Sequence, residues 1–293
     1  TFTVTNCGDD TNYSIKATVV GGDGYVIPEV AITKVTDVAG NANAASTSTD
    51  NSVLYDSGGP TVTINQSVSE TIGTCVFPAQ ADPTNNQATE FRVTFSEAIN
   101  NATFTAADIT ESGTITSAVF TVTNCGDDTN YSLKTTSITG QGTVIPELAV
   151  SKVTDVAGND NAASTATDNT VTFDSVKPSL TINQSVSETV GTCTFTAQAD
   201  PSNSLPIEYR AEFSEAIDNT TFLVGDITES GDATGVTFTL TNCGDDTNFS
   251  IKATVVMSFS FLLDSSLNLI ILFLVSISDS TFSINLNLRA DAD

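Results

Sequence analysis

Apolar and polar residues alternate in short segments along most of the chain. Between residues 91 and 95, Phe91, Val93 and Phe95 fall on one side of an extended segment, whereas Arg92 and Thr94 fall on the other. This period of two predicts a β-strand that buries one face. Between residues 60 and 174, further candidate strands occupy residues 61–64, about 108–110, 115–123, 131–138, 144–153 and 170–173.

Turn-forming clusters separate these candidate strands, at residues 81–83, 111–113, 125–128, 140–142 and 157–159. Clusters rich in Gly, Asn, Asp and Pro are typical of the loops that join short strands. Seven short strands without a helical stretch fit an immunoglobulin-like sandwich better than a barrel or a propeller blade. The pattern therefore predicts an all-β fold of packed antiparallel sheets.

The whole pattern returns at a period of 118 residues. The string TNCGDDTN begins at Thr5, Thr123 and Thr241, and TINQSVSET begins at Thr63 and Thr181. A period above about 100 residues is the size of an autonomous domain, so it predicts a tandem array rather than a solenoid. We expect residues 1–59 to be the C-terminal half of one repeat, 60–177 a complete repeat, and 178–256 the N-terminal two thirds of a third.

Residues 257–293 do not follow the repeat. The segment 253–256 still matches 17–20, after which the two sequences diverge. Residues 259–278 are apolar enough for a membrane anchor, but Asp264 and several serines interrupt them. The cleaner run at 267–277 is too short to cross about 30 Å of hydrocarbon as a helix. We expect a non-repeat tail that is either an aberrant end or a membrane anchor.

Acidic residues outnumber basic ones by 35 to 9, which gives a formal net charge of −26, and histidine is absent. Such a surface repels nucleic acid and anionic membranes, and it leaves calcium and cationic surfaces as candidate partners. Without histidine, Ser-His-Asp triads, Cys-His dyads and histidine-ligated zinc are excluded. We therefore expect a protein that is not an enzyme.

The five cysteines follow the repeat. Cys75 and Cys125 are separated by 50 residues, and so are Cys193 and Cys243. We expect each pair to form a disulfide, with Cys7 unpaired because the partner in its repeat is expected upstream of residue 1. Disulfides indicate an oxidising compartment. Buried free thiols are the alternative, and a zinc site is poorly supported because the chain has neither a CxxC motif nor histidine.

Three strings carry a resemblance to a known family: FSEAI with FTAADIT at 95–110, VTDVAGN at 35–41 and 153–159, and DNTVTFDSVKPSLTI at 168–182. Together they resemble the bacterial Ig-like domains that occur in tandem in large extracellular, adhesin-like surface proteins. The resemblance covers residues 1–256 and implies tandem Ig-like sandwiches at the cell surface or outside the cell. It also implies a structural spacer role in cell adhesion, a surface layer or a matrix, with an unknown extracellular surface or matrix component as partner.

Two other functions stay open at this point. An Ig-like module of this kind could itself bind a carbohydrate or a protein. The chain could also be the accessory region of a secreted enzyme whose catalytic domain lies elsewhere.

Oxygen-bearing side chains recur in the segment that leads to each joint between repeats. Calcium takes six to eight oxygen ligands from carboxylates, amides and backbone, so we expect a calcium site near the joints, whereas turn formation is the alternative use of these residues. The candidate ligands are Asp37, Asn41, Asp50, Asp56, Asp155, Asn159, Asn161, Asp168 and Asp174.

Two other motifs recur with the repeat. Gly-Asp-Asp at 8–10, 126–128 and 244–246 spells a string that holds metal in polymerases, but its place between two candidate strands favours turn formation. Asn-x-Ser/Thr sequences make seven asparagines candidates for glycosylation, provided that the protein is secreted by an organism that glycosylates. These are Asn12, Asn65, Asn101, Asn130, Asn183, Asn219 and Asn248.

Overall fold

The computed structural model describes residues 1–18 and 20–255, and the chain divides into two compact units, Thr1–Val176 and Lys177 onward. The described residues form an all-β structure, with three 3-10 turns at Asn101–Thr103, Ala106–Asp108 and Val224–Asp226 and no α-helix among them. The predicted all-β class is confirmed.

Fourteen strands belong to the first unit. Four lie before Pro60: β1 (Phe2–Asn6), β2 (Tyr13–Ala17), β3 (Gly24–Val26) and β4 (Val53–Tyr55). The complete repeat contains β5 (Val62–Gln66), β6 (Glu70–Ile72), β7 (Cys75–Phe77), β8 (Glu90–Phe95), β9 (Ile109–Glu111), β10 (Ser117–Asn124), β11 (Asn130–Thr139), β12 (Gly142–Val144), β13 (Pro146–Leu148) and β14 (Val171–Phe173).

An antiparallel four-stranded sheet organises the complete repeat, in the order β10-β11-β8-β5. Its central register sets Tyr131 opposite Val93 and Leu133 opposite Phe91, so their side chains reach the same face. The strand pairs β12–β14 and β13–β9 cover that face. Strand β5 is joined by a parallel bridge between Thr63 and Thr165 to residues 165–168, which we call the closing segment. The alternation seen in the sequence is therefore the alternation between core and solvent.

Aromatic rings fill the middle of this core. Phe95, Phe104 and Tyr131 are all buried, and each pair meets edge to face with ring centroids 5.1–5.8 Å apart. Edge-to-face pairs of this kind contribute about 0.5–1.5 kcal/mol beyond the area they bury. The trio thus locks the 3-10 turns at 101–108 onto the sheet.

The strands β1–β4 reproduce the second half of the complete repeat. Strand β1 pairs with β2, and β3 pairs with β4, in the same registers as β10–β11 and β12–β14. Their apolar side chains are largely exposed, including those of Phe2, Ile15 and Val53. Residues 1–56 therefore form the same strand pairs as the matching part of the complete repeat, but their apolar side chains are less buried.

The second unit contains six described strands: β15 (Leu180–Gln184), β16 (Glu188–Val190), β17 (Cys193–Phe195), β18 (Ile207–Phe213), β19 (Val236–Asn242) and β20 (Asn248–Val255). Four of them form an antiparallel sheet in the order β15-β18-β20-β19, which is the sheet of the complete repeat again. Among the described residues, the buried cluster against this sheet consists of Ala211, Phe249 and Ile251, with seven partly buried apolar residues around it. A separate buried cluster, formed by Cys193, Phe195 and Cys243, surrounds the disulfide.

The strand prediction was wrong in two places. Strands β6 and β7 were missed because each has only three residues, too few to show a period; Gly73, with φ of +55°, forms the tight turn between them. The predicted strand 144–153 is in fact two short strands, followed by a turn from residue 149. The first of them ends before Pro146, because proline has no N–H to continue the ladder.

Disulfides join Cys75 to Cys125 and Cys193 to Cys243, with Sγ–Sγ distances of 2.10 and 2.13 Å, and Cys7 is free and exposed. Each bridge attaches a short hairpin, β6–β7 or β16–β17, to the turn that follows the long strand β10 or β19. The Thr74 N–H also donates to the Cys125 carbonyl at 2.7 Å, and a Cβ at Gly73 would collide with that same oxygen. The β6–β7 hairpin therefore packs directly against the backbone of the turn that contains Cys125.

Among the residues described, no helix has the length and apolar character needed to cross a bilayer. The expected non-repeat tail, residues 257–293, lies outside the described residues.

The fully buried hydroxyl of Tyr131 has no hydrogen-bond partner in the described structure, and the third repeat carries Phe249 at the same position. Because a buried unsatisfied hydroxyl costs about 1–3 kcal/mol, we expect Tyr131→Phe to raise the free energy of unfolding by about 1 kcal/mol. Denaturant unfolding of the whole chain measures the change.

The control is Tyr13→Phe, since Tyr13 is the counterpart in the first repeat and is 53% exposed. That substitution is expected to leave stability unchanged. A loss of stability in Tyr131→Phe would contradict the prediction and reveal a buried partner for the hydroxyl.

Candidate functional site

Three carboxylates from separate segments meet in the first unit, where the first repeat joins the second. Asp56 follows β4, Glu97 follows β8, and Asp155 lies in the loop between β13 and β14. One carboxylate oxygen from each lies within 4.8 Å of the other two. We call these three residues the joint cluster.

The backbone around the joint cluster is fixed by hydrogen bonds between loops. Ile99 and Asp155 form an antiparallel bridge, and the Asn100 N–H donates to the Thr154 carbonyl at 2.8 Å. The side chain of Asn159 donates to the Asp56 carbonyl at 3.2 Å, which ties the segment before the joint to the complete repeat. These contacts explain why residues so far apart in sequence come together.

Asp155 is almost fully buried, yet it is well supplied with donors. Its Oδ1 accepts from the Gly158 N–H at 2.6 Å and from the Asn159 N–H at 2.8 Å, and its Oδ2 accepts from the Asn159 amide at 2.8 Å. Burial alone would raise the pKa of Asp155, but the hydrogen bonds from Asn159 and Gly158 outweigh it and lower the pKa. Asp155 therefore holds a negative charge inside the joint.

Glu97 is in the opposite situation. Burial raises the pKa of its carboxyl, and the negative charges of Asp56 and Asp155 raise it further. None of the ion pairs formed by the described residues involves a member of the joint cluster. A cation bound between the three carboxylates would remove this repulsion, and oxygen-only ligands suit calcium or magnesium.

Only two of the sequence-predicted ligands, Asp56 and Asp155, belong to the joint cluster. Asn159 lies beside them, but its amide nitrogen is directed at Asp56 and Asp155. The buried Asn161 uses its amide within its own loop: its oxygen accepts from the Lys152 and Val153 N–H groups, and its nitrogen donates to two carbonyls.

The other candidates lie elsewhere. Asp168 accepts from the side chain of Gln66, and Asp174 accepts from the Val176 N–H. Asp37 is exposed and accepts the backbone and side-chain N–H groups of Asn41. Asp50 lines an apolar groove in the first repeat. The structure therefore does not bring the nine candidates together as one site.

Glu97 was not among the predicted ligands. The available signal was the recurrence of FSEAI at 95–99 and 213–217, which puts a glutamate at the same position of two repeats. Nothing local to this motif indicates that its glutamate meets Asp155.

The Gly-Asp-Asp motif forms the same turn in all three repeats. In the complete repeat, Asn124 Oδ1 accepts from the Gly126 N–H, and Asp127 Oδ1 accepts from the N–H groups of Thr129 and Asn130. Partial burial would raise the pKa of Asp127. The hydrogen bonds that its carboxylate accepts from the Asn130 side chain and from the N–H groups of Asn130 and Thr129 outweigh burial and lower the pKa to about 2. Asp9 and Asp245 accept the same set of bonds. The acidic side chains thus hold the turn.

Three of the candidate glycosylation sites lie in these turns. The amide nitrogens of Asn12, Asn130 and Asn248 each donate to the aspartate three residues earlier, at 2.6–2.7 Å. Asn219 donates to Asp246, and Asn65 accepts from the closing segment through its Oδ1. Asn101 and Asn183 are exposed. A glycan at one of these turn asparagines would occupy one of the two hydrogen positions on the amide nitrogen that donates to the aspartate.

Comparison of the chain with protein-family models and with curated proteins gives no match.

The joint cluster predicts an unusual pH dependence. Because the folded-state pKa of Glu97 is raised, its ionisation opposes folding above that pKa, and the penalty disappears as the pH falls through it towards the usual 4.5. In the presence of a chelator, we expect Glu97→Gln to raise the thermal midpoint at pH 7 and to have little effect at pH 4.5. Calorimetry at the two pH values tests this.

The matched control is Glu147→Gln, since Glu147 is an exposed glutamate on β13 of the same unit. It is expected to leave the midpoint unchanged at both pH values. A stabilisation by Glu97→Gln that is equal at pH 7 and pH 4.5 would contradict the electrostatic origin.

Proposed function

We propose that the chain is the structural, spacer-forming region of a secreted or cell-surface protein built from tandem immunoglobulin-like domains, of the kind found in bacterial adhesin-like proteins. The observation that carries this proposal is that the same clamped scaffold is built twice, at Cys75–Cys125 and at Cys193–Cys243, with the same strand order around it. The protein would serve in adhesion, a surface layer or a matrix.

The use of the repeated polar residues supports a mechanical role. The carboxylates and amides that recur most regularly hold turns together, as in the Asn124–Asn130 turn and its two counterparts. The same hydrogen bonds in each repeat give each repeat the same turn. Two disulfides in the described chain also fit an oxidising location outside the cytoplasm.

A spacer is expected to resist extension. When the chain is pulled from its two ends, residues between Cys75 and Cys125 cannot extend while the disulfide is intact. Because an extended residue spans about 3.4 Å, the 50-residue separation hides about 170 Å of length. We expect single-molecule force measurements to show an unfolding step for this domain that lengthens by about 170 Å on reduction.

The control is a Cys75→Ser, Cys125→Ser double variant, which is expected to give the long step without reductant. The alternative function, a carbohydrate- or protein-binding Ig-like module, predicts specific and saturable retention of the intact chain on a glycan or protein array. Such retention, together with unfolding at negligible force, would overturn the spacer proposal.

A calcium ion at the joint cluster is the second part of the proposal. Three carboxylates converge there, the pKa of Glu97 is raised by burial and further by the charges of Asp56 and Asp155, and the protein carries a net charge of −26. Calcium would hold Asp56 to the complete repeat and remove the repulsion. It would therefore stiffen the joint between the first two repeats.

Calcium is expected to raise the thermal midpoint of the wild-type chain relative to the same chain in chelator. Since extracellular calcium modules dissociate at about 0.1–1 mM, the comparison needs roughly 1–10 mM calcium. Asp56→Asn and Glu97→Gln are expected to abolish the shift. Asp37→Asn, which changes an aspartate outside the joint cluster, is expected to preserve it; a midpoint indifferent to chelator in the wild-type chain would contradict the calcium site.

A further inference from the structure

The complete repeat joins its first strand to its closing segment in the same chain direction. The two form a parallel bridge between Thr63 and Thr165. The Ile64 N–H donates to the Thr165 carbonyl, and the Thr165 N–H donates to the Val62 carbonyl, both at 3.0 Å. We call this pairing of β5 with residues 165–168 the parallel contact.

Two side-chain amides on β5 extend the parallel contact. Asn65 Oδ1 accepts from the Thr167 and Asp168 N–H groups at 2.8 and 3.0 Å, and from the Thr167 hydroxyl at 3.1 Å. The Gln66 N–H donates to the Asp168 carbonyl at 2.7 Å, and the Gln66 amide donates to the Thr170 carbonyl at 2.6 Å. The contact therefore combines main-chain bonds with side-chain bonds that fix its register.

A second parallel bridge follows directly along the chain, between Thr84 and Phe173 on β14. The Thr84 N–H donates to the Thr172 carbonyl at 2.9 Å, and Asp82 Oδ1 accepts from the Thr172 N–H at 2.8 Å. Every ladder between named strands is antiparallel, so these two bridges are the only parallel pairings that the described residues form. Both lie where the last segment of the repeat meets earlier ones.

The direction of these strands decides how they respond to stretching. A force on the two sides of the repeat reaches β5 at its N-terminal end and the closing segment from its C-terminal end. Because the two are parallel, these are opposite ends of the contact. The strands are then pulled past each other along their axes, and the evenly spaced bonds between them share the load. A force that entered both at the same end would instead break the bonds one after another.

We infer that the parallel contact, aligned by Asn65 and Gln66, is the part of the complete repeat that bears the load when the chain is stretched. This inference rests on the proposed spacer function and assigns its mechanical resistance to one contact. Val62 and Ile64, on the same strand, are 1% and 0% exposed. Loss of the contact would pull these side chains out of the core, so the repeat would unfold in a single step.

The first experiment holds the intact chain at constant force and compares two asparagine variants. A Cys193→Ser, Cys243→Ser background leaves the complete repeat as the only disulfide-closed domain of the described chain, so its unfolding step is the one that lengthens on reduction. With the disulfide intact, Asn65→Ala is expected to raise the unfolding rate roughly tenfold, because three hydrogen bonds are lost from the contact that limits forced unfolding.

The matched control is Asn124→Ala. It removes the bond that Asn124 accepts from the Gly126 N–H at 2.7 Å and the bond that its amide donates to Asp128. Residue 124 lies between the disulfide-bonded Cys75 and Cys125, so it carries no load while the bridge is intact. The unfolding rate under force is expected to stay unchanged, although denaturant unfolding without force should show a loss of stability for both variants.

The second experiment changes only the direction of the force. Ala163 is exposed and lies just before the closing segment, so a handle on Ala163→Cys, with Cys7→Ser added to the same background, loads both strands at the same end. Pulling between this handle and the N-terminal end of the chain is expected to unfold the repeat at least about tenfold faster than pulling the same chain from its two ends, because the bonds break one at a time. Denaturant unfolding of Ala163→Cys is expected to match that of the background chain.

Three results would overturn the inference. Asn65→Ala and Asn124→Ala could change the rate under force equally, which would place the load elsewhere. The rate could also be the same for both pulling directions. In either case a repeat that still resists force would leave the spacer proposal standing. Unfolding at negligible force in both directions would instead overturn the inference and the spacer proposal together.

Discussion

The antiparallel pairing of β8 with β11 is the contact around which the complete repeat is organised. Its inner face carries Phe91, Val93, Tyr131 and Leu133, all without measurable exposure. Its outer face carries a polar network in which the buried Glu90 accepts from Ser132 at 2.8 Å and pairs with Lys134 at 3.1 Å. Strand β5 pairs with β8, β10 pairs with β11, and the covering strands pack on the inner face of these two strands. An error in the register of β8 with β11 would therefore displace both the core and the polar network.

The same pairing is rebuilt in the second unit. Glu208, Ser250 and Lys252 form the polar network there, and Arg210 bridges Glu188 and Asn248 as Arg92 bridges Glu70 and Asn130. Among the residues described, the buried cluster against this sheet is smaller than that of the complete repeat, with Ala211, Phe249 and Ile251 fully buried.

Strands with five or more alternating residues, such as β8, could be predicted from the sequence, because burial of one face gives apolar residues at every second position. It missed β6 and β7, whose existence depends on a disulfide and on the space left by Gly73 rather than on a pattern. Recurrence made Asp56 and Asp155 two of the nine predicted calcium ligands, whereas Glu97 meets them through tertiary contacts such as the bridge between Ile99 and Asp155. A tertiary contact of that kind leaves no trace in the local sequence.

Because the repeats are nearly identical in sequence, each segment must pair with its own repeat rather than with the equivalent segment of another repeat. The buried positions of one repeat are nearly interchangeable with those of the next, so half-domains from different repeats can pair transiently during synthesis. The cysteines add to the ambiguity, because Cys75 can be oxidised with Cys7 as well as with Cys125 before the strands settle. In the folded chain, the close fit of Gly73 beneath the Cys125 carbonyl favours Cys125 as the partner of Cys75. The fold, rather than the mere presence of equivalent thiols, therefore decides which cysteines are joined in the native chain.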